Sequence, residues 1–356
     1  MFSIEMLQAN YGDAIWLEYG DEASPNIVLI DCGFKNTYRE IIDRIEQRNL
    51  TLELLILTHV DEDHIKGAIP LLQDARLGPG RVRDIWFNGY DHMVAPDAMG
   101  AMQGEIFSAI MEERGYSWNG DWCGKAVIVP DTGPLNTVTL PGGLKLTVLS
   151  PTPERLREMA RKWRAELEDK GLEPGDTDAV LGVLADRGTA YRPDALGDVD
   201  PQVLAEKPFS EDSAEPNGSS IAVMAEYQGK RVLLTGDAFP SVLVDSISRL
   251  LDTLDATSLS IDALKVAHHG SKGNTSPEML SMLRCPQFLV STNGKKFNHP
   301  SPECIARLVT AGDDPVTVRF SSRHEESEIW KDRQLQMDFN YEALYPGTDS
   351  TRLVLA

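Results

Sequence analysis

Residues 58–64 read THVDEDH and put His59, Asp61, Glu62, Asp63 and His64 within one short stretch. Three carboxylates and two imidazoles this close would repel or compete unless a cation sat among them. Imidazole nitrogen mixed with carboxylate oxygen suits zinc, manganese or iron better than calcium or a thiolate-selected metal. The stretch therefore reads as one wall of a metal site. A helix would turn residues i, i+2 and i+4 to different faces, so a loop at a strand end is expected, with Gly67 kept for close backbone packing.

Three later stretches carry the same kinds of group. LLTGDA ends an apolar run in Asp237 behind a glycine. VAHHGSKGNTS places His268 and His269 side by side at the head of a Gly/Ser loop. FNHPSPE holds His299 before a proline-rich turn. If His268 and His269 stayed in a strand they would face opposite ways, one free to bind metal and the other to pack or touch substrate. Five of the seven histidines lie in these stretches, and His92 and His324 read as surface residues.

Elements must bring these stretches together. Near the start FSIEML, AIWLEY and NIVLIDCG read as strands, TYREIIDRIEQRN as a helix and LELLILTH as a strand. DCG and THVDEDH follow strands directly, where loops of α/β folds carry function. AIPLLQDA reads as a helix, RVRDIWFNGY as a strand, and a Met-rich stretch from about 96 to 114 as another helix. KAVIVP and LKLTVLSP read as strands. Thr152-Pro153-Glu154 starts a helix, a capping threonine before proline. Its Leu156, Met159, Trp163 and Leu167 recur on one face as core contacts.

From about 169 to 216 the chain is rich in Asp, Glu, Gly and Pro and loses periodicity, as an insertion or lid would. SSIAVMAEY and RVLLTGD then form a hairpin about Gln228-Gly229-Lys230. Helix, strand, helix and strand follow as FPSVLVDSISRLLDTL, IDALKVAHHG, SPEMLSMLRC and QFLVSTNG. VTVRF, QLQMDF and RLVLA in the tail look strand-like. The order suggests two β-rich halves joined by a variable middle. We divide the chain into residues 1–320, with 153–216 as the insertion, and an extension, 321–356, packed on or beside it.

Composition sets the bounds. The 356 residues are 42% hydrophobic and 25% charged, ordinary values for a globular protein. No apolar run approaches the roughly 18 residues that would span a bilayer, and the start lacks the form of a signal peptide, so a cytoplasmic, membrane-free protein is expected. Cys32, Cys123, Cys285 and Cys304 fall at wide spacings that signal neither a thiolate zinc site nor a disulfide framework. The net charge of −21 argues against a broad basic face for nucleic acid. A phosphate would have to be attracted locally, and bound divalent ions can do that.

With these residues in view, T-H-V-D-E-D-H-I-K-G resembles the T-H-x-H-x-D-H-x-G signature of the metallo-β-lactamase superfamily, differing at Asp61. NYGDAIWLEYG, IVLIDCG, NGSSIAVMAEYQGKRVLLTGDA, DALKVAHHGSKGNTSPEML and NHPSPE are similar, more narrowly, to the nuclease-like domain of the competence DNA-uptake protein ComEC and its free-standing relatives. Those relatives commonly carry aspartate where this chain has Asp61. The resemblance covers about residues 2–73 and 216–309.

It implies an α/β fold, an αββα metallo-β-lactamase sandwich with a variable middle insertion, and two divalent metal ions, zinc or manganese, at one edge. His59 and Asp61 would bind one ion and Asp63 and His64 the other, with Asp237 bridging and a histidine of the His268-His269 pair, His268 taken first, completing the set. Many members carry Gly-His-Thr where this chain has Asn217-Gly218-Ser219-Ser220, so one ion would lose an imidazole. The implied activity is metal-dependent phosphodiester hydrolysis, by a nuclease or phosphodiesterase, through water activated at the metals. Asp63, His269 and His299 are the catalytic candidates. Asn217, Ser219, Ser271 and Lys272 are candidates for contact with a phosphodiester substrate such as nucleic acid, with Lys295 and Lys296 as further cations. A lactone, ester or amide hydrolase on the same fold is the alternative, and a non-catalytic metal-stabilised module the next.

Overall fold

A computed structural model describes residues 1–93, 102–168, 199–312, 314–347 and 351–356. The expected insertion between 169 and 198, and the start of the Met-rich stretch, lie outside these residues. Two mixed sheets face each other. The first contains β1 (Phe2–Met6), β2 (Ile15–Gly20), β3 (Pro25–Ile30), β4 (Leu52–Ile56) and β5 (Ile85–Trp86). The second begins with β6 (Thr137–Thr139), β7 (Lys145–Ser150), β8 (Ala222–Tyr227) and β9 (Lys230–Leu234). A separate two-stranded ribbon pairs β10 (Leu259–Ser260) with β12 (Leu283–Arg284). The second sheet continues through β11 (Ala263–Lys265), β13 (Gln287–Val290), β14 (Val316–Phe320) and β15 (Tyr341–Leu344), and β16 (Arg352–Val354) returns to the first.

The orders are β16-β1-β2-β3-β4-β5 and β15-β14-β13-β11-β9-β8-β7-β6. The tail thus supplies an edge strand to each sheet. Period-two alternation explains how each sheet is covered on both faces. Along β2 and β3, Ile15, Leu17, Val28 and Ile30 point inward to meet Leu146, Val148, Val223 and Val232 of the second sheet. Trp16, Ile27 and Leu29 point outward and pack with Ile41, Ile42 and Ile45 of the helix Thr37–Gln47. Fully burying each such aliphatic contributes about 1.5–3 kcal/mol. On the far side, Leu233, Leu264 and Phe288 meet Leu243 and Ile247 of the helix Pro240–Leu254 and Ile305 of the helix Pro302–Thr310. Helix, sheet, sheet and helix follow in layers, the expected sandwich.

Parallel pairing decides where the loops gather. β3 and β4 are parallel, as are β9, β11, β13 and β14, so their C-terminal ends open on common edges. β2 runs antiparallel to β3 with Ile15 opposite Ile30, which places the residues just before β2 beside those just after β3.

Several local expectations are corrected. KAVIVP is not a strand, because the Asn88 side chain takes both backbone groups of Val127, at 2.8 Å each. QLQMDF lies largely within the helix Arg333–Asp338, whose start is capped where the Asp332 carboxylate accepts from Leu335 N at 2.9 Å. RVRDIWFNGY contributes only the two residues of β5. The helix at Pro153–Glu168 forms as expected, with Thr152 Oγ1 accepting from Arg155 N at 3.3 Å. Among the described residues, no helix is long and apolar enough to cross a membrane.

Candidate metal centre

THVDEDH begins where β4 ends, but only its first part is loop. Glu62–Ile65 closes a helical turn behind Asp61, so Asp63 and His64 are aimed by a helix rather than by the loop expected from their spacing. His64 is fully buried, and its Nδ1 lies 2.7 Å from Asp31 Oδ2. Asp31 is itself fixed by Thr58, whose backbone N and Oγ1 each donate to it at 2.8 Å. A carboxylate on one ring nitrogen orients the other, here Nε2, into the site. His59 is buried beside it, with ring centroids 4.2 Å apart and Nδ1 3.0 Å from Thr58 Oγ1.

Asp237 follows β9 and faces this wall. Its Oδ2 lies 3.4 Å from His64 Nε2 and 3.8 Å from Nε2 of both His59 and His268. The preceding Gly236 has φ +51°, and a Cβ there would fall 2.4 Å from Ser220 Oγ. Glycine lets the chain turn tightly enough to bring Asp237 in.

His268 and His269 do not alternate as strand residues. Both have positive φ, 47° and 55°, in a tight turn after β11, and both Nε2 atoms face the cluster. His269 Nδ1 lies 2.9 Å from the Ser291 carbonyl and its Nε2 3.4 Å from Asp63 Oδ2. His268 Nδ1 lies 2.9 Å from Asn274 Oδ1 and 3.3 Å from Asp212 Oδ2. His299 is buried with its ring 5.3 Å from that of His268.

Three participants were missed by sequence reasoning. Asp13 is buried just before β2, its Oδ2 2.5 Å from Lys265 Nζ and its Oδ1 3.5 Å from His269 Nδ1. Its signal was available, since Gly12-Asp13 repeats the Gly236-Asp237 pairing at a strand boundary. Gly12 has no room for a side chain, because a Cβ would sit 2.0 Å from the Asp63 carbonyl. Asp31 was visible as a polar strand end without an assigned role, and Lys265 looked like an ordinary strand residue.

Burial and charge are severe. Burial would lower His64, yet the Asp237 and Asp31 carboxylates prevail and hold it well above its ordinary range. The same contest raises His269 to about 10, with Asp13 and Asp237 overcoming burial. His59, enclosed and next to the His64 charge, falls to about 4. Burial would raise Asp237, but the charges of His64 and His268 take it well below the carboxylate range.

The donor set fits a metal. Atoms of Asp13, His64, Asp237 and His269 lie within 4.8 Å of one another, all four residues buried. Nε2 of His59, His64 and His269 and Oδ1 of Asp237 are buried without a hydrogen-bond partner. Buried polar atoms are nearly always satisfied, and four orphans converging in one place point to a cation as their common partner. Gly67 packs as expected, a Cβ there falling 2.1 Å from the Cys32 carbonyl.

The centre opens into a cavity of about 510 Å³ walled by Asp61, Asp63, Asp237, His268 and His299, with Lys296 and Phe297 on the same wall. Asp61 is at the mouth, its side chain 43% exposed and 3.8 Å from His59 Nε2. Asn217 also reaches the wall, where its Nδ2 donates to Asp212 Oδ2 at 2.6 Å. Ser219, Ser271 and Lys272 are placed off that wall. Ser219 Oγ donates to the Pro216 carbonyl at 2.7 Å, Ser271 Oγ accepts from Gly273 N at 3.2 Å, and Lys272 is exposed. His92 and His324 stay apart, and neither is simply a surface residue. The His92 ring lies 4.6 Å from that of Trp118, and His324 Nδ1 lies 2.9 Å from Glu326 Oε2.

Comparison with known proteins bears on this arrangement. Residues 26–295 match the family model described as "Metallo-beta-lactamase superfamily". An alignment over 142 residues, covering 38% of the chain, shows 30% identity to ComE operon protein 3 of Bacillus subtilis (strain 168). The match spans 17% of that relative's length. Among solved structures, a crystal structure of a "Putative metal-dependent hydrolase" from Parabacteroides distasonis ATCC 8503 aligns at 11% identity with a TM-score of 0.36, covering 89% of this chain and 98% of that one. CmlA, a diiron β-hydroxylase from Streptomyces venezuelae, aligns at 11% identity with a TM-score of 0.38, covering 99% of this chain and 53% of its own. TM-scores this low do not establish a shared architecture.

Proposed function

The chain belongs to the metallo-β-lactamase superfamily, with a buried His/Asp metal site, and we propose that the bond this hydrolase breaks is a phosphodiester. The observation that carries the reading is the convergence of orphaned His59, His64 and His269 nitrogens with Asp237 beneath an open cavity. The phosphodiester assignment is supported by the ComEC-like run of motifs and by the oxygen donors that Asp61 and Asp63 add to it. Oxygen donors tilt a site toward harder ions such as manganese.

Two divalent ions are the proposed complement. Asp237 would stand between them, His59 and Asp61 on one flank, Asp63, His64 and a histidine of the 268–269 pair on the other. Such ions supply a strong nucleophile at neutral pH and positive charge against phosphoryl oxygens. The chain's own residues do the rest. Asp31 holds His64 in one tautomer, and Asp13 with Lys265 and the Ser291 carbonyl holds His269. Asp63, 3.4 Å from His269, is placed to orient the attacking water. His299 lies buried on the cavity wall, and burial with the neighbouring His268 and His269 charges pushes it down to about 3, so it would act as a neutral ring that donates a hydrogen bond to the substrate. Asn217 keeps His268 and Asp212 in register at the rim.

The test is a substrate panel on the manganese- and zinc-loaded protein: bis(p-nitrophenyl) phosphate, single- and double-stranded DNA and RNA, and a set of lactones and esters. Phosphodiester turnover that disappears in Asp63→Ala and His64→Ala variants of unchanged fold is expected. Lactone or ester turnover without phosphodiester cleavage would move the assignment to a carbonyl hydrolase.

A further inference from the structure

The turn from Lys296 to His299 forms one lip of the cavity, and its Phe297 has no role in the reading above. Phe297 is 54% exposed at φ 65°, and Asn298 follows at φ 52°. A bulky residue in the left-handed region is an outlier, and such outliers gather where a side chain must be presented rather than packed. Among the exposed large hydrophobic residues described, Val203, Leu254, Phe297, Met337 and Val354, only Phe297 is aromatic and only Phe297 lines this cavity. Its ring centroid is 6.0 Å from that of His299.

Lys296 shares the lip. Its ammonium lies 4.7 Å from the centre of the Phe297 ring and 5.1 Å from that of Tyr11, whose ring is braced 4.5 Å from Phe34. Among the described residues it makes no ion pair, so two aromatic faces hold it in place of a carboxylate. Apart from the histidines it is the cation on a wall otherwise supplied with Asp61, Glu62, Asp63, Asp212 and Asp237. A flat ring and a cation without a carboxylate partner among the described residues therefore stand side by side on the cavity wall.

We propose that Phe297 is a stacking platform for a nucleobase adjoining the scissile phosphate, and that Lys296 faces the phosphate beside that base. The inference rests on the phosphodiester reading and narrows it to nucleotide-bearing substrates with an unstacked base, as in a single strand. Every base has a face to stack, so the platform favours bases without choosing among them. The acidic surface remains compatible, because the attraction is confined to one lip.

The experiment compares the metal-loaded protein on a single-stranded oligonucleotide and on an abasic strand of equal length. Wild type should show a KM at least about fivefold lower for the base-bearing strand, the low end of a stacking contribution. Phe297→Gly should bring the ratio toward one, whereas Phe297→Trp should keep it. Glycine suits the left-handed backbone here, so strain cannot account for a loss. Lys296→Ala should raise KM for both strands alike. A wild-type ratio of one, or a ratio unmoved by Phe297→Gly, overturns the platform. Turnover of bis(p-nitrophenyl) phosphate without cleavage of either strand overturns the platform; if neither strand nor bis(p-nitrophenyl) phosphate is cut, the phosphodiester reading fails, and equilibrium binding of AMP against ribose 5-phosphate judges the platform separately. Tighter AMP binding that Phe297→Gly abolishes supports it, and equal binding overturns it.

Discussion

The two halves of the molecule deliver similar groups to the metal centre by different backbone means. The first half uses one unbroken stretch, 58–64, in which no residue has positive φ and a helical turn aims Asp63 and His64. The second half uses residues far apart in sequence, Asp237 and the pair His268-His269, with Gly236, His268, His269 and Gly270 all left-handed. Their supports differ too. His64 leans directly on a carboxylate, Asp31, at 2.7 Å, whereas the nearest supports of His268 and His269 are the neutral Asn274 amide and Ser291 carbonyl at 2.9 Å each, with the Asp212 and Asp13 carboxylates farther off at 3.3 and 3.5 Å. The first wall is thus built by local geometry and charge, and the second by a contorted backbone that tertiary contacts must hold.

The largest effect should come from the residue that joins the halves. Asp237→Asn should remove bound metal and lower kcat/KM by more than the roughly 100-fold that an outer partner costs. Elemental analysis beside kinetics checks this, and a variant that kept both would separate the walls. Next is the buried ion pair beneath them. Lys265→Met leaves Asp13 uncompensated and should destabilise by about 3–5 kcal/mol in urea unfolding. Adding Asp13→Leu should recover much of that loss without restoring activity.

The contrast in supports is sharpened by metal titration of Asp31→Asn and Asn274→Ala. The first should weaken metal affinity by about 10–100-fold and the second by less. Equal losses would erase the distinction drawn between a charged and a neutral support. For the backbone contrast, Gly270 has φ +88° and a Cβ there would lie 2.6 Å from Pro300 Cβ. Gly270→Ala should therefore lower stability by about 1–3 kcal/mol, readable as a lower Tm.

The smallest effect lies away from both walls, at the tail strand of the first sheet. Burial would raise the Glu18 carboxyl, but Arg48, Trp16 and Arg352 hold it below its ordinary 4.5. A depressed carboxylate contributes stability above its unfolded pKa and loses it as pH falls through the folded one. Acid denaturation below about pH 4.5 should start later in Glu18→Gln relative to its own neutral-pH stability, a flatter profile than wild type. An unchanged slope would show that Arg352 does not tie the tail through this group.

Legibility followed the same divide. Strands whose apolar residues alternate, and helices such as Thr37–Gln47 with one apolar face, could be read directly because their periods follow from backbone geometry. KAVIVP and QLQMDF could not, since an Asn88 side chain from another loop and an Asp332 cap decided them. At the site, His59, Asp61, Asp63 and His64 were visible because they cluster in the chain. The paired turning of His268 and His269 was hidden, because it depends on φ values that no strand pattern predicts.

Residue type and spacing determined, by themselves, that this chain carries a metal site of mixed imidazole and carboxylate donors and the strands to bear it. Ligand chemistry belongs to side chains and survives in one dimension. Only the tertiary structure decided that Asp13, Asp31 and Lys265 stand behind those ligands and that Phe297 and Lys296 border them. These residues gain their roles from burial and proximity, which arise when two sheets close face to face and their loops meet at one edge.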